Sequence, residues 1–414
     1  PYNAAPGART GPTISRPGTG REAQPMTEDQ PIPRPAPTGG PDWRAVRADY
    51  RAPLARAWLA LGVTALALAG IYALLLVAAR APGTGGLFPT QDFFRVALVV
   101  HVDQSVLIWF LALGGMLWSL LGRPRRTLAW IALGGAAAGC LLVATAPFLG
   151  AAQPLLANYV PVLDHPLFLA GLALFGLGVL LALAAYLGGP HPCFGWDDPI
   201  AIGTLTAALA ALMAGVSLTW SLAGLSRAWE PLAYYEYLFW APGHILQFVY
   251  TQLMLVAWIW LAREVWRPLP LGARALSALL ILGVLPLLAM VPVLFAYAPD
   301  SPEARIAFTR LMQWGNGLAA VPIGLALLIA LVRGRGGETA PAAVPVRRAL
   351  AASLTLFSAG GVLSMLISGS NTLVPAHYHG SIVGVTLALM GLTYLVLPRL
   401  GLQAPSGRMA RLQP

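Results

Sequence analysis

The chain contains no lysine, only two cysteines among its 414 residues, and few charged side chains of any kind. Charged residues make up 10% of the sequence and apolar residues 57%, a balance that excludes an ordinary soluble domain. Cys140 lies in an apolar run and Cys193 in a loop, so no disulfide framework is expected. The net charge of +10 comes from arginine alone, and in so apolar a chain it indicates membrane topology rather than nucleic acid binding.

Apolar runs long enough to cross a bilayer recur along the sequence and predict an all-α polytopic membrane protein with about ten transmembrane helices. We expect residues 51–400 to form this membrane domain, 1–50 to be a disordered Pro/Gly/Arg-rich cytoplasmic tail, and 401–414 to be a cytoplasmic C-terminal tail. The ten predicted spans are 55–80, 93–122, 127–149, 160–187, 199–223, 233–262, 272–298, 305–332, 348–369 and 373–398.

Arginines are concentrated in alternate connections between the predicted spans. The positive-inside rule therefore places both termini in the cytoplasm and the start of every even-numbered span on the outer side. The arginine-rich stretches are 44–56, 123–126, 263–274, 333–348 and 399–411.

Four histidines lie near the beginnings of even-numbered spans: His101, His244, His377 and His379. They come from three separate helices, yet the topology places them at a similar depth near the outer face. Ionisable residues inside a membrane are expensive and indicate function, so this agreement favours a shared haem or metal site. The alternative is that these histidines only form hydrogen bonds between helices.

His377 and His379 form a His-x-His pattern at the mouth of an apolar helix. Residues i and i+2 of an α-helix point about 200° apart, because each residue turns the chain by about 100°. Two histidines so placed cannot share one metal from one side. Each can instead hold a different iron on its own face of the helix.

The two remaining histidines are less informative. His165 follows an acid at the mouth of an even-numbered span, where a capping or surface role is favoured over metal ligation. His191 and Cys193 share a predicted cytoplasmic loop, and a metal site there would need more ligands.

A histidine on span two, the run Trp240-Ala-Pro-Gly-His244 on span six and the His-x-His of span ten together resemble subunit I of the haem-copper oxygen and nitric oxide reductases. The resemblance covers roughly residues 90–400. It implies that His101 and His379 are the axial ligands of a low-spin haem, and that His377 is the proximal ligand of a second haem.

The resemblance further implies that Tyr378 sits between the two haems and that His244 faces the distal side of the second haem, where relatives hold copper or non-haem iron. Relatives also place two adjacent histidines at the outer end of span seven. The corresponding stretch here, 293–299, contains none, so we predict no copper. The haems are expected to be of b type, because no Cys-x-x-Cys-His motif attaches them covalently.

These expectations leave three functional hypotheses. The first is an electron-transfer haem protein of a respiratory-type complex in a bacterial-type inner membrane, with a cytochrome c or a cytochrome c-containing subunit as its outer-side partner beside other membrane subunits. The second is an active reductase of oxygen or nitric oxide at the second haem, with His244 in its distal pocket. The third is a non-haem transporter or structural subunit. Whether the protein is an enzyme, and then a haem-dependent oxidoreductase, is left open.

Overall fold

The computed structural model describes residues 41–190, 195–266, 268–334, 343–369 and 371–403, and it is almost entirely helical within these ranges. Its longer helices are formed by the apolar runs identified above, and Pro, Gly and Asp are found at the connections between them. The helices are α1 Trp43–Ala48, α2 Arg51–Ala79, α3 Phe93–Val102, α4 Trp109–Leu121, α5 Arg126–Thr145, α6 Pro166–Leu187, α7 Pro199–Gly224, α8 Pro231–Val265, α9 Ala273–Leu282, α10 Met290–Ala296, α11 Pro302–Gly315, α12 Gly317–Val332, α13 Val344–Met365 and α14 Leu373–Arg399.

Ten helical stretches in the described part of the chain are long and apolar enough to cross a membrane, which confirms the predicted fold class and span number. Four of them are not continuous α-helices, since span three also ends in a 3₁₀ segment, Ala146–Leu149, after α5. A π-helical segment, Asp103–Ile108, separates α3 from α4. A single residue, Asn316, separates α11 from α12. Span seven consists of α9, a 3₁₀ segment at Leu285–Ala289, and α10.

The break in span seven has a local cause in the sequence. Pro286 lies in the first turn of the 3₁₀ segment, and a proline supplies no N–H to the preceding turn and clashes with its carbonyl. The short α10 that follows leaves Phe295 88% exposed and Tyr297 44% exposed. The C-terminal end of span seven is therefore turned away from the core of this chain.

Helix α8 lies at the centre of the bundle and packs against α7, α11, α13 and α14. Nearly all side chains from Phe248 to Ala262 are buried. The buried Trp258 of α8 donates its indole N–H to Ser353 Oγ on α13. The helix that carries His244 is thus held by neighbours on several sides.

The folded region begins earlier than the sequence predicts. Trp43–Ala48 forms α1, capped by the Asp42 carboxylate, and Val46 is fully buried, because Trp43 and Val46 pack onto the bundle. The tail boundary at residue 50 is corrected accordingly. Residues 1–40 and 404–414, the remainder of the two predicted tails, lie outside the described residues.

The only β-structure in the described ranges is a two-stranded antiparallel hairpin between α5 and α6. Strand β1 is Pro154–Leu155 and strand β2 is Val162–Leu163, with Pro154 opposite Leu163. The loop between the strands, residues 156–161, reaches α8 and forms part of the site described below.

Candidate haem-ligand site and its surroundings

His101 lies near the end of α3, just before the π-helical segment. Its Nδ1 is 2.8 Å from the carbonyl oxygen of Ala69 on α2. A carbonyl oxygen can only accept, so Nδ1 donates its proton to it and Nε2 is the ring nitrogen left for another partner. Nε2 has no hydrogen-bond partner among the described residues. The Ala69 carbonyl therefore orients this imidazole, whose Nε2 could serve as a ligand.

His377 is held in the same way by a different helix. Its Nδ1 is 2.8 Å from the carbonyl oxygen of Gly360 on α13. The two helices approach closely here, since a Cβ on Gly360 would stand 2.6 Å from the Ser381 amide nitrogen and 2.9 Å from the His377 carbonyl oxygen. Only glycine lets this carbonyl reach the histidine, so the backbone of α13 orients the ring.

His379 takes its Nδ1 partner from its own helix, the carbonyl oxygen of Pro375 at 2.7 Å. A carbonyl oxygen has two lone pairs, so that of Pro375 can accept this ring N–H in addition to a backbone N–H. The ring stacks on Tyr378, with centroids 4.9 Å apart, and both side chains are exposed on the surface of this chain. Like the Nε2 atoms of His101 and His377, that of His379 has no hydrogen-bond partner within the described ranges.

His244 differs from these three histidines. It is 1% exposed, its Nδ1 is 2.6 Å from the carbonyl oxygen of Trp240, and its Nε2 is 2.8 Å from the Tyr159 hydroxyl. Since Nδ1–H donates to the carbonyl, Nε2 accepts from the phenol O–H. Both ring nitrogens are thus engaged by the protein, and no lone pair of His244 is left for a metal in this arrangement.

Tyr159 is a site residue that the sequence reasoning missed. It lies in the loop between β1 and β2 with φ +69°, the single non-glycine residue with positive φ in the described ranges. Its ring presses on Gly243, where a Cβ would come within 2.3 Å of the Tyr159 ring, and it meets the Trp240 ring edge-on. Such strained backbone persists only where its surroundings enforce it.

Glu236 fixes the loop that presents Tyr159. Its carboxylate accepts the backbone N–H of Asn158 at 2.8 Å and the Asn158 side-chain amide. Burial raises the pKa of Tyr159, and the nearby Glu236 carboxylate raises it further, so the phenol keeps its proton. In the sequence, Gly243 next to His244 within a helix indicates that another group packs closely there, but it does not indicate that this group is Tyr159.

The Tyr159→Phe substitution should test this contact. It keeps the ring and removes only the hydroxyl, which leaves the buried Nε2 of His244 without a donor. We expect a loss of about 1–3 kcal/mol in the free energy of unfolding, the usual cost of an unsatisfied buried group. Detergent unfolding curves would measure it, with Tyr297→Phe at an exposed phenol as the control. Equal stability of the two variants would contradict the assignment.

Asp103 lies close to His101 along the chain but is not its hydrogen-bond partner. His101 bonds to the backbone of α2 instead, and both carboxylate oxygens of Asp103 are buried without a hydrogen-bond partner. Asp103 stands two residues beyond His101, at the start of the π-helical segment, so the two side chains leave the helix in different directions.

His165 is a capping residue, as its sequence context favours. It is the N-cap of α6, and its Nδ1 accepts the Leu167 amide N–H at 3.3 Å. His191 and Cys193 lie outside the described residues. No three side chains of His, Cys, Asp or Glu come together as a metal-ion site in the ranges that the structure covers.

The fold defines a polytopic membrane protein in which backbone carbonyls orient the rings of His101, His377 and His379. The chain belongs to the cytochrome c and quinol oxidase polypeptide I family, whose sequence model matches residues 53–414. Members of this family typically bind haem and work within multi-subunit membrane complexes. The predicted family resemblance is thereby confirmed.

Two uncharacterized bacterial proteins resemble the chain over most of its length. A protein of Rickettsia prowazekii (strain Madrid E) is 29% identical over 402 residues, covering 82% of this chain and 77% of its own. A protein of Aquifex aeolicus (strain VF5) is 28% identical over 362 residues, covering 86% and 88%.

Among solved structures, a haem-copper terminal oxidase dimer matches with a TM-score of 0.59 and 18% identity, covering 84% of this chain and 68% of that one. At this identity the likeness establishes the fold.

Proposed function

We propose that this protein is a membrane haem protein that transfers electrons within a respiratory-type complex. It holds a low-spin haem between His101 and His379 and a second haem on His377, both of b type. The supporting observation is that all three imidazoles present a free Nε2 while a backbone carbonyl holds Nδ1–H. Bound haem supplies one-electron chemistry, and two imidazoles saturate its iron whereas one leaves a position open.

The protein's own contribution is to orient these ligands. The carbonyls of Ala69, Gly360 and Pro375 fix the tautomer of each ring and strengthen the basicity of Nε2. His377 and His379 leave α14 about 200° apart, so the helix separates the two haem faces, with Tyr378 between them in sequence. That separation lets one helix serve both irons.

The proposal includes no copper. The family's second metal would need ligands near His244, whose two nitrogens bond to Trp240 and Tyr159. The outer end of span seven, 293–299, has no histidine, and Tyr297 there is exposed and makes no hydrogen bond to His244. Tyr159 thus occupies the Nε2 atom of His244 that a second metal would need.

The reductase hypothesis keeps one specific observation in its favour. His377 has a free Nε2, and no described histidine is a clear second axial partner for it, because His244 is engaged elsewhere. A haem held on one side by His377 would keep a position open for oxygen or nitric oxide. In that case His244, hydrogen-bonded to Tyr159, would line the distal side.

The membrane orientation follows from the arginine distribution, and the side on which a partner would dock follows from that orientation. The arginine-rich connections lie on the cytoplasmic side, which puts both termini there and the histidine-bearing ends of spans two, six and ten outside. We propose a bacterial-type inner membrane and a cytochrome c, or a cytochrome c-containing subunit, docking on the outer side. Other membrane subunits would complete the complex.

An optical spectrum of the purified, reduced protein before and after carbon monoxide, with metal analysis on the same sample, tests the proposal. We expect a low-spin b-type spectrum, about two haems per chain and no copper. If carbon monoxide leaves every haem unchanged, the protein only transfers electrons. A change in the absorption of about half the haem would mean an open site on His377, and the reductase function would then be favoured. Absence of haem would refute both.

A further inference from the structure

Helix α11 carries two arginines, Arg305 and Arg310, that line a cavity of about 410 Å³ beside Trp240. The cavity is further lined by Pro302, Ile306, Thr309 and Gln313. Arg305 stacks its guanidinium over the Trp240 ring at 4.5 Å, and the Trp240 indole N–H donates to the Arg305 carbonyl at 3.2 Å. Trp240 thus joins this cavity to the α8 turn that holds His244.

The charge in this cavity is not balanced by the protein. Neither arginine has a carboxylate within ion-pair distance in the described part of the chain, and Arg310 makes no hydrogen bond there. Glu303 is on α11 as well, but two residues from Arg305 it faces another side of the helix. Arg310 is exposed within the span Pro302–Val332, so its unpaired charge is available to an anionic partner from outside the chain.

The depth of these arginines suits the headgroup layer of a membrane. The span Pro302–Val332 has 31 residues and is about 46 Å long at 1.5 Å per residue, whereas the hydrocarbon layer is about 30 Å thick. About 8 Å of helix therefore extends past the hydrocarbon at each end of a centred span. Arg305 falls in that extension, and Arg310 lies near its boundary, where a long side chain can extend outward.

An exposed apolar stripe continues along the same helices below the cavity. Trp314, Leu318, Val321 and Leu325 follow one another at helical spacing, with Trp314 72% and Val321 62% exposed. A cationic, hydrogen-bonding cavity above an apolar stripe has the shape and polarity of an amphiphile with an anionic head and acyl chains. A guanidinium fork matches the oxygens of a phosphate, the oxyanion that a bilayer supplies at this depth.

We propose that this cavity is a binding site for one anionic phospholipid, with its phosphate on Arg305 and Arg310 and its acyl chains along the stripe. Gln313 and Thr309 provide further polar groups at the headgroup. The site does not depend on haem, so it stands or falls separately from the electron-transfer function. Through Trp240, an occupied site would stabilise the α8 turn whose carbonyl accepts from His244.

Native mass spectrometry of the full chain from nanodiscs of phosphatidylcholine with phosphatidylglycerol would test the site. We expect one retained phosphatidylglycerol and a loss of at least about tenfold in its affinity for Arg310→Gln, since hydrogen bonds to charged groups are the strong ones. Arg333→Gln, an exposed arginine at the other end of the same span, is the matched control and should retain the lipid. Arg310→Lys should retain most of the binding and shows that a charge, rather than a folding defect, is at issue.

Three results would overturn the proposal. One is equal retention by the wild type, Arg310→Gln and Arg333→Gln. Another is release of the lipid by millimolar inorganic phosphate, which would assign the cavity to a soluble anion. The third is loss of haem from Arg310→Gln with lipid retention unchanged, which would assign the arginines to haem carboxylates.

Discussion

The His379→Ala variant is expected to lose the low-spin haem spectrum entirely while keeping the haem on His377. In the proposed arrangement His379 supplies one of two axial nitrogens, and its ring is placed by a hydrogen bond within its own first turns, so its removal disturbs little besides the iron. A haem with one remaining imidazole becomes high-spin or dissociates. Reduced-minus-oxidised difference spectra and a haem count per chain would measure the effect, which should approach half of the total haem.

His165→Ala provides the matched control for that experiment. His165 is also a histidine at the mouth of an even-numbered span, but it caps α6 through its Nδ1. Its replacement should cost about 1 kcal/mol of stability, as a lost helix cap does, and leave the haem spectrum intact. An unchanged low-spin spectrum in His379→Ala, or its loss in His165→Ala, would refute the pairing of His101 with His379.

The Gly360→Ala variant is expected to disrupt the haem on His377 without touching any ligand. The added methyl group would meet backbone atoms of α14 at 2.6 to 2.9 Å, and backbone cannot move aside as a flexible side chain does. The helices must separate, which costs about 1–3 kcal/mol and withdraws the Gly360 carbonyl from His377 Nδ1. We expect a lower haem content and a changed fraction that responds to carbon monoxide.

The neighbouring residue offers the control. Gly361 is in the same helix, and a Cβ built on it meets nothing within 4 Å. Gly361→Ala should be neutral or stabilising by up to about 1 kcal/mol, because alanine favours a helix over glycine. Thermal unfolding and haem content of the two variants side by side separate a packing effect at Gly360 from a general response to alanine. Indistinguishable variants would show that the carbonyl does not position His377.

The membrane fold was predictable because hydropathy is read over windows of about twenty residues and tolerates local irregularity. Span seven illustrates the limit, since its apolar run continues through Pro286 while the helix does not. The helix α1 was missed for a related reason. Its six residues are too short for periodicity to detect, and the burial of Val46 depends on tertiary contacts.

The candidate ligands could be named from sequence because histidines are few and stand at matching positions of even-numbered spans. Their partners could not, because those partners are mostly backbone carbonyls on other helices, such as Ala69 for His101 and Gly360 for His377. The contact of Tyr159 with His244 could not be predicted, because Tyr159 lies 85 residues from His244 along the chain, in a loop with no periodic pattern. Its left-handed conformation is imposed by the assembled fold.

The π-helical segment after His101 changes how the two halves of span two are related. A π-turn contains one more residue than an α-turn, so it shifts the angular phase of everything that follows it by about 100°. The residues of α4, all of them buried, therefore continue out of phase with the face of α3 that carries His101. The direction of the His101 side chain on α3 and the packing of the residues of α4 are therefore not tied to a single helical phase, and each can be optimised without changing the other.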